Sequence, residues 1–424
     1  MSYVVDIQFF NTFILRSTDI NTLYIEESRI KGGFNEAFAT LGPKAYATNE
    51  NYDENRRKNA LIYSGIYNSK TEVNNTNVFS AGEKITRAVD PANGSIQKLY
   101  AEDTNLNILQ ENKVSKALID KDALFTAEGG QLTASGAAVI GQIVPYAGKY
   151  GISKDPESFA IKGNRKYFTD KNRGAVLRLS GGQGKGDGIT EISRAGMRDF
   201  FKDNLKSATR IVGMYDDNKD EYVLSIKNGS SYNTLSYDES VKGWTSFFTY
   251  SPDYGFTIKK DFFTLKDGDL YKHYVDNTVS GATVDRNEFY ESKRESYVTF
   301  IANMQPSVVK NFNTINYEGS AGWVMRSSNT DFGDTAKNVL SSATTVASGV
   351  IPVSFIKKEN KYYAHLRNTA SKSTGEIAGV EPMGLKGFFT IVKMEHTSSS
   401  AVELFTVSHD ATGKFKKPPT TTKK

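Results

Sequence analysis

From Ser95 onward, apolar or aromatic runs meet Asp/Asn/Gly turns and return as second alternating runs, the pattern of antiparallel hairpins. Four such units are legible. The first runs through Lys98–Tyr100, turns at Glu102–Asn105 and returns along Leu106–Leu109, whose alternation predicts a half-buried strand. The second joins Tyr167–Thr169 to Ala175–Leu179 through Asp170–Gly174. The third joins Ile211–Tyr215 to Tyr222–Ile226 through Asp216–Asp220, and the fourth joins Phe262–Leu265 to Leu270–Tyr271 through Lys266–Asp269. With Asp103, Asp170, Asp217 and Asp267 as markers, the spacings are about 67, 47 and 50 residues, near the length of a propeller blade. A β-propeller-like body is the inference, with a sandwich or plain meander as the competing arrangement, because no blade-specific dipeptide recurs.

Between the second and third units, Met197, Phe200, Phe201 and Leu205 fall at helical spacing behind Ser193, which predicts one capped amphipathic helix over a sheet edge. After Arg286 the pattern changes to strands separated by polar stretches: Tyr297–Ile301, Val350–Ile356, Lys361–Leu366 and Gly387–Val392. This predicts a second, C-terminal β region. The Ser/Thr/Asn/Asp-rich stretch Ser327–Ser348 reads as a long loop, and Lys414–Lys424 as a basic tail that stays mobile until a partner orders it. The expected organisation is therefore an N-terminal arm and mixed region at 1–94, a propeller-like β region at 95–290, the C-terminal β region at 291–413 and the tail at 414–424. Within the first segment, Asn49–Lys58 is too polar to bury and reads as an exposed arm.

The chain has 424 residues, enough for more than one packed region. Aromatic residues make up 12%, mostly Tyr and Phe, which agrees with strands. Its 53 basic and 48 acidic side chains are nearly balanced, so tight, sustained nucleic-acid binding is not indicated. There is no cysteine, which excludes disulfides, thiolate metal sites and cysteine nucleophiles. The N-terminus, Met1–Phe10, lacks a basic n-region and a long apolar run, and no stretch approaches the roughly 20 apolar residues of a membrane span. Synthesis and folding in a cytoplasm are expected.

Candidate chemistry is sparse. Gly181–Gly188 is rich in glycine, but its lysine is followed by Gly186 where a phosphate loop needs Ser or Thr, so it reads as a connecting loop. Asp216–Asp220 offers oxygens at alternate positions, yet Glu221 and Lys227 stand where a calcium loop needs Gly and Glu. The carboxylate pairs Asp267/Asp269 and Glu102/Asp103 lie in turns, where acidic residues are ordinary. His273, His365, His396 and His409 are scattered, without the spacing of a metal or nucleophile site. Trp244 and Trp323 sit beside other apolar residues and read as packing rather than sugar platforms. No catalytic, cofactor-binding or metal residue is assigned, and the chain is read as structural, not as an enzyme.

Four stretches, Asp90–Tyr100, Arg165–Ser180, Gly243–Phe247 and Asn316–Ser320, resemble the tail stabilization or muzzle (nozzle) proteins of tailed bacteriophages, especially crAss-like phages. The resemblance runs from about Ala60 to the C-terminus. It implies a virion tail component, made in the host bacterial cytoplasm, that assembles with itself as a ring around the DNA exit channel. It also implies propeller-like folding, contacts with other tail proteins (a portal-side adaptor, fibres or baseplate), and passage of viral DNA without specific binding. A contractile-tail baseplate or fibre-attachment role, or a carbohydrate-binding β-propeller that recognises a receptor, are the alternatives.

Overall fold

The computed structural model describes residues 57–64, 85–102, 105–125, 131–181, 188–275, 285–340, 353–369 and 384–413 continuously, with short strands between residues 13 and 80. The chain is mainly β and divides into two compact units, Met1–Tyr271 and Lys272–Lys424. That division lies ahead of the 290/291 boundary expected from the change in pattern.

The first unit opens with β1 (Phe13–Asp19), β2 (Thr22–Ser28), β3 (Ile30–Lys31), β4 (Thr40–Leu41), β5 (Ala60–Ile62), β6 (Tyr67–Asn68), β7 (Val73–Asn74), β8 (Phe79–Ser80) and β9 (Thr86–Ala88). Strands β5 and β9 pair, and Leu61 and Val89 cluster with Ile108, Ala117 and Ile140 of the sheet that follows.

Four antiparallel meanders then succeed one another in chain order. The first sheet is β10 (Ile96–Glu102), β11 (Asn105–Gln110), β12 (Val114–Phe125) and β13 (Gln131–Pro145). The second is β14 (Ala160–Lys162), β15 (Arg165–Asp170), β16 (Ala175–Ser180) and β17 (Gly188–Glu191); the third is β18 (Arg210–Asp216), β19 (Glu221–Asn228), β20 (Ser231–Asp238) and β21 (Gly243–Phe248). The fourth has, among the described residues, β22 (Tyr254–Ile258), β23 (Asp261–Lys266) and β24 (Asp269–Lys272).

Each sheet packs on its neighbour. Leu109 and Val114 of the first meet Phe168, Leu177 and Leu179 of the second. Tyr167 and Val176 of the second meet Ile211, Tyr222, Leu224 and Leu235 of the third. Strands covered on both faces cannot alternate apolar with exposed polar residues: every residue from Ile211 to Asp216 and from Tyr222 to Ile226 is buried. The half-buried strand expected at Leu106–Leu109 is corrected for the same reason, since Asn107–Gln110 are all buried between the β5/β9 cluster and the second sheet.

All four expected hairpins form, but their markers are out of phase. The first hairpin, in which Glu102 pairs with Asn105, and the one turning at Asp217 join a sheet's first and second strands, whereas Asp170 and Asp267 mark hairpins between its second and third. The structural repeat starts instead at β10, β14, β18 and β22, residues 96, 160, 210 and 254.

The single α-helix among the described residues, α1 (Arg194–Lys206), differs from expectation at its start. Ala195 and Gly196 leave helical geometry, with Gly196 at φ 72°, and Ser193 does not cap. Its hydroxyl instead accepts the Val176 N–H at 3.1 Å, which ties the chain to β16. The helix does reach an edge strand: Phe200 packs 5.4 Å from Phe247 and Phe201 4.6 Å from Trp244 of β21, the outermost strand of the third sheet. Phe201 and Leu205 are buried in the core shared by the second and third sheets.

The second unit is a two-layer sandwich beside a small hairpin of β25 (Glu288–Phe289) and β26 (Ser292–Lys293). Its further strands are β27 (Ser296–Ala302), β28 (Lys310–Gly319), β29 (Val324–Thr330), β30 (Thr335–Val339), β31 (Ile356–Lys358), β32 (Lys361–His365), β33 (Leu385–Gly387), β34 (Thr390–His396) and β35 (Leu404–Gly413). One sheet has the order β27-β34-β29-β30; the other is β31-β32-β28-β33, with β35 also paired to β28. Phe312, Ile315, Tyr317, Trp323, Met325, Val392 and Met394 fill the space between them.

The long loop expected at Ser327–Ser348 is corrected as far as Leu340: β29 and β30 form a hairpin there. Its Ser and Thr residues misled because their hydroxyls find partners inside, as Ser328 does with Thr390 at 2.7 Å. Residues 341–348 lie outside the described residues, as do 49–56 of the arm and the tail 414–424.

Candidate functional site

The structural repeat brings the first strands of all four sheets around one cavity of about 400 Å³. Tyr100 of β10, Phe159 just before β14, Tyr215 of β18, and Tyr254 and Phe256 of β22 are among the residues that border it. Tyr100 and Phe159 are 5.8 Å apart, and the Lys98 ammonium lies 5.6 Å from the Phe159 ring centre.

Close approach at this centre depends on two glycines. A Cβ on Gly213 would stand 2.0 Å from the Ser158 carbonyl oxygen, and one on Gly255 would stand 2.4 Å from Met214 Sδ. Polar groups bridge the same junctions. The Tyr222 hydroxyl donates to the Ser158 carbonyl at 2.9 Å, and the Thr257 hydroxyl donates to the Tyr215 carbonyl at 2.7 Å.

The ion pairs also run between sheets. The Lys166 side chain is 1% exposed and its ammonium binds Glu102 across the first and second sheets. Glu239, just after β20, accepts from the Tyr167 hydroxyl at 2.7 Å and from Arg178 at 2.5 Å, joining the third sheet to the second. Burial, reinforced by the hydrogen bond to Glu239, pushes the Tyr167 phenol far above its ordinary range, so it stays a neutral donor. These groups hold sheets together; none is free to bind a reactant.

The sequence candidates fall into the same structural roles. Lys162 places its ammonium 2.6 Å from Asp217 and 3.7 Å from Asp220, occupying the position a cation would take in that loop. Asp216 accepts from the Asn218 and Lys219 N–H groups, which makes the segment a turn. Asp267 closes a turn at φ 52°, and its N–H donates to Asp253. Glu102 is taken by Lys166; Asp103 and residues 182–187 of the glycine-rich loop lie outside the described residues.

Trp244 packs 4.6 Å from Phe201 and donates its indole N–H to the Ile192 carbonyl at 3.1 Å. Trp323 is buried and donates to the Glu403 carbonyl at 3.2 Å. Both indoles therefore serve packing. His396 accepts the Ser398 N–H through Nδ1, which leaves Nε2 to donate to the Ala321 carbonyl at 3.1 Å. Burial pushes the imidazoles of His273 and His409 down to about 4. His365 is exposed on β32. Among the described residues no three His, Asp or Glu side chains converge as a metal site, and no helix is long and apolar enough to cross a membrane.

The sequence reading missed the convergence of the first strands. Its available signal was the Asp-Pro lead-in of Asp90-Pro91 and Asp155-Pro156, each a 3-10 turn directly before a first strand. Asp90 accepts the Ala92 N–H at 2.9 Å, and the proline supplies the turn's φ.

The family model for the Crassvirus muzzle protein matches residues 46–268, which include all four stacked sheets almost to their end. The chain belongs to the Crassvirus muzzle protein family. A second model, the Crassvirus muzzle protein C-terminal domain, matches residues 284–369 of this muzzle-family chain, within the sandwich unit. The Muzzle protein of Bacteroides phage crAss001 is 21% identical over 251 residues. That match covers 56% of this chain and 17% of the phage protein, so the muzzle-family chain spans a small part of that relative's length.

Proposed function

We propose that this chain is a structural component of a phage tail, assembling as an oligomeric ring around the DNA exit channel. Its partners are copies of itself and other tail proteins, and viral DNA passes without being gripped. Membership of the muzzle family supports the virion role.

The observation that carries the assembly is the fourth sheet. Among the described residues it has one strand fewer than the others, and the face turned away from the third sheet is apolar. Thr257 and Gly255 point towards the third sheet, so Tyr254, Phe256 and Ile258 point the other way. Tyr254 is 51% exposed, Ile258 55% and Leu270 58%. Each earlier sheet has such a face covered by the next, so the stack continues with β structure from another source. We read the four meanders accordingly as blades of a propeller-like body completed on assembly.

The test is native mass measurement of the purified chain together with imaging of tail-containing particles. A closed ring on the tail axis is expected. A chain that stays monomeric at high concentration and is missing from tails overturns the proposal.

A further inference from the structure

In the sandwich unit, β27 ends the sheet β27-β34-β29-β30, so one side of it is an open edge among the described residues. Proteins guard such edges with charges, prolines or bulges, because unpaired N–H and C=O groups recruit other strands. The other outer strands of the sandwich each carry a charge: β30 carries Lys337, β31 carries Lys357 and Lys358, β33 carries Lys386, and β35, on the far side of β28, carries Asp410. Strand β27 reads Ser-Tyr-Val-Thr-Phe-Ile-Ala, with no charge and no proline, and it pairs with β34 without a register break. Tyr297 is 57% exposed and Ile301 61%. Beside them on β34, Ile391 is also exposed.

The order of these residues is complementary to itself. If two copies meet antiparallel with Thr299 facing Thr299, Tyr297 lies opposite Ile301, Val298 opposite Phe300 and Ser296 opposite Ala302. Aromatic then meets β-branched on both faces, Thr meets Thr, and small meets small, which are favourable cross-strand combinations. Beyond the strand, Arg294 faces Met304 and Glu295 faces Asn303, so no like charges oppose one another. A slip by one residue would set outward side chains against inward ones, and a slip by two breaks the size matching.

We propose that β27 is a self-association edge, at which a second copy of this chain adds its own β27 antiparallel and fuses two four-stranded sheets into one of eight. A two-fold contact closes on itself and builds no ring, so this pairing is separate from the contacts of the proposed ring and is tested separately.

The chain has no cysteine, so Thr299→Cys introduces one thiol, placed across the two-fold from its counterpart. Directly opposed residues have Cα atoms about 4.5–5.5 Å apart, inside the range a disulfide spans. Under mild oxidation Thr299→Cys should yield a covalent dimer, while Ser400→Cys, on an exposed segment of the same unit, should remain uncross-linked. By analytical ultracentrifugation the unsubstituted chain should dimerise, and Ile301→Lys should weaken that dimer at least about tenfold with an unchanged circular dichroism spectrum. Two results overturn the proposal. One is an unsubstituted chain that is monomeric up to about 100 µM; the other is Thr299→Cys cross-linking no faster than Ser400→Cys.

Discussion

The Tyr222 hydroxyl of β19 donates to the Ser158 carbonyl, and that same oxygen lies 2.0 Å from where a Cβ on Gly213 would stand. One backbone atom of the 3-10 turn that leads into the second sheet thus fixes both a hydrogen bond and a steric limit on the third. Tyr222→Phe leaves a buried carbonyl short of its donor and should cost about 1–2 kcal/mol. Gly213→Ala forces the sheets apart and should cost about 3 kcal/mol or more. Denaturant unfolding measures both, and a neutral Gly213→Ala would show that the sheets can separate freely.

Lys166 and Glu102 make the same argument with charge. Glu102→Ala strands a buried ammonium and should destabilise the first unit by about 3 kcal/mol, whereas Lys166→Met with Glu102→Leu should recover most of that loss. A double variant no better than the single one would mean that the ion pair itself, rather than the uncompensated charge, sets the stability.

His273 and His409 make the sandwich unit sensitive to acid. Their folded values, about 4, lie below the ordinary 6.5, so between these two values the unfolded chain binds protons that the folded chain refuses. Stability is therefore full above pH 6.5 and falls as pH drops towards 4, by up to about 1.4 kcal/mol per pH unit for each histidine. Urea midpoints measured from about pH 7 down to pH 4.5 should decline, and His409→Leu should flatten the decline. An unchanged slope in that variant would remove His409 as a cause.

The exposed face of the fourth sheet separates folding from assembly. Replacing Tyr254, Ile258 and Leu270 together by serine should leave the melting temperature of the isolated chain within about 2 °C, because these side chains are already largely exposed. The same variant should fail to enter tails when supplied to a phage lacking its own copy. Normal incorporation would show that the face is covered by something dispensable.

Turn chemistry made the hairpins legible. Asp/Asn/Gly clusters between β-branched and aromatic runs have few alternatives to a reversal, so 167–179 and 211–226 could be read locally. The stacking was not local. Strands with both faces covered lose the period of two, and hairpins of different rank in their sheets look alike, so the repeat was set in the wrong phase. The start of α1 and the β29–β30 hairpin escaped for a related reason: Ser193 and Ser328 spend their hydroxyls on partners that only the packed neighbours supply.

Composition and turn spacing by themselves determined a mainly β chain, without cysteine chemistry, whose Asp216–Asp220 cluster is a turn and whose tryptophans pack. Tertiary structure alone decided that four first strands converge on one cavity, that Lys162 answers Asp217, and that β27 ends its sheet among the described residues. The physical reason is range. Turns and alternation are set by neighbours along the chain, whereas the covering of a face or an edge depends on residues tens of positions away, whose placement only the packed fold fixes.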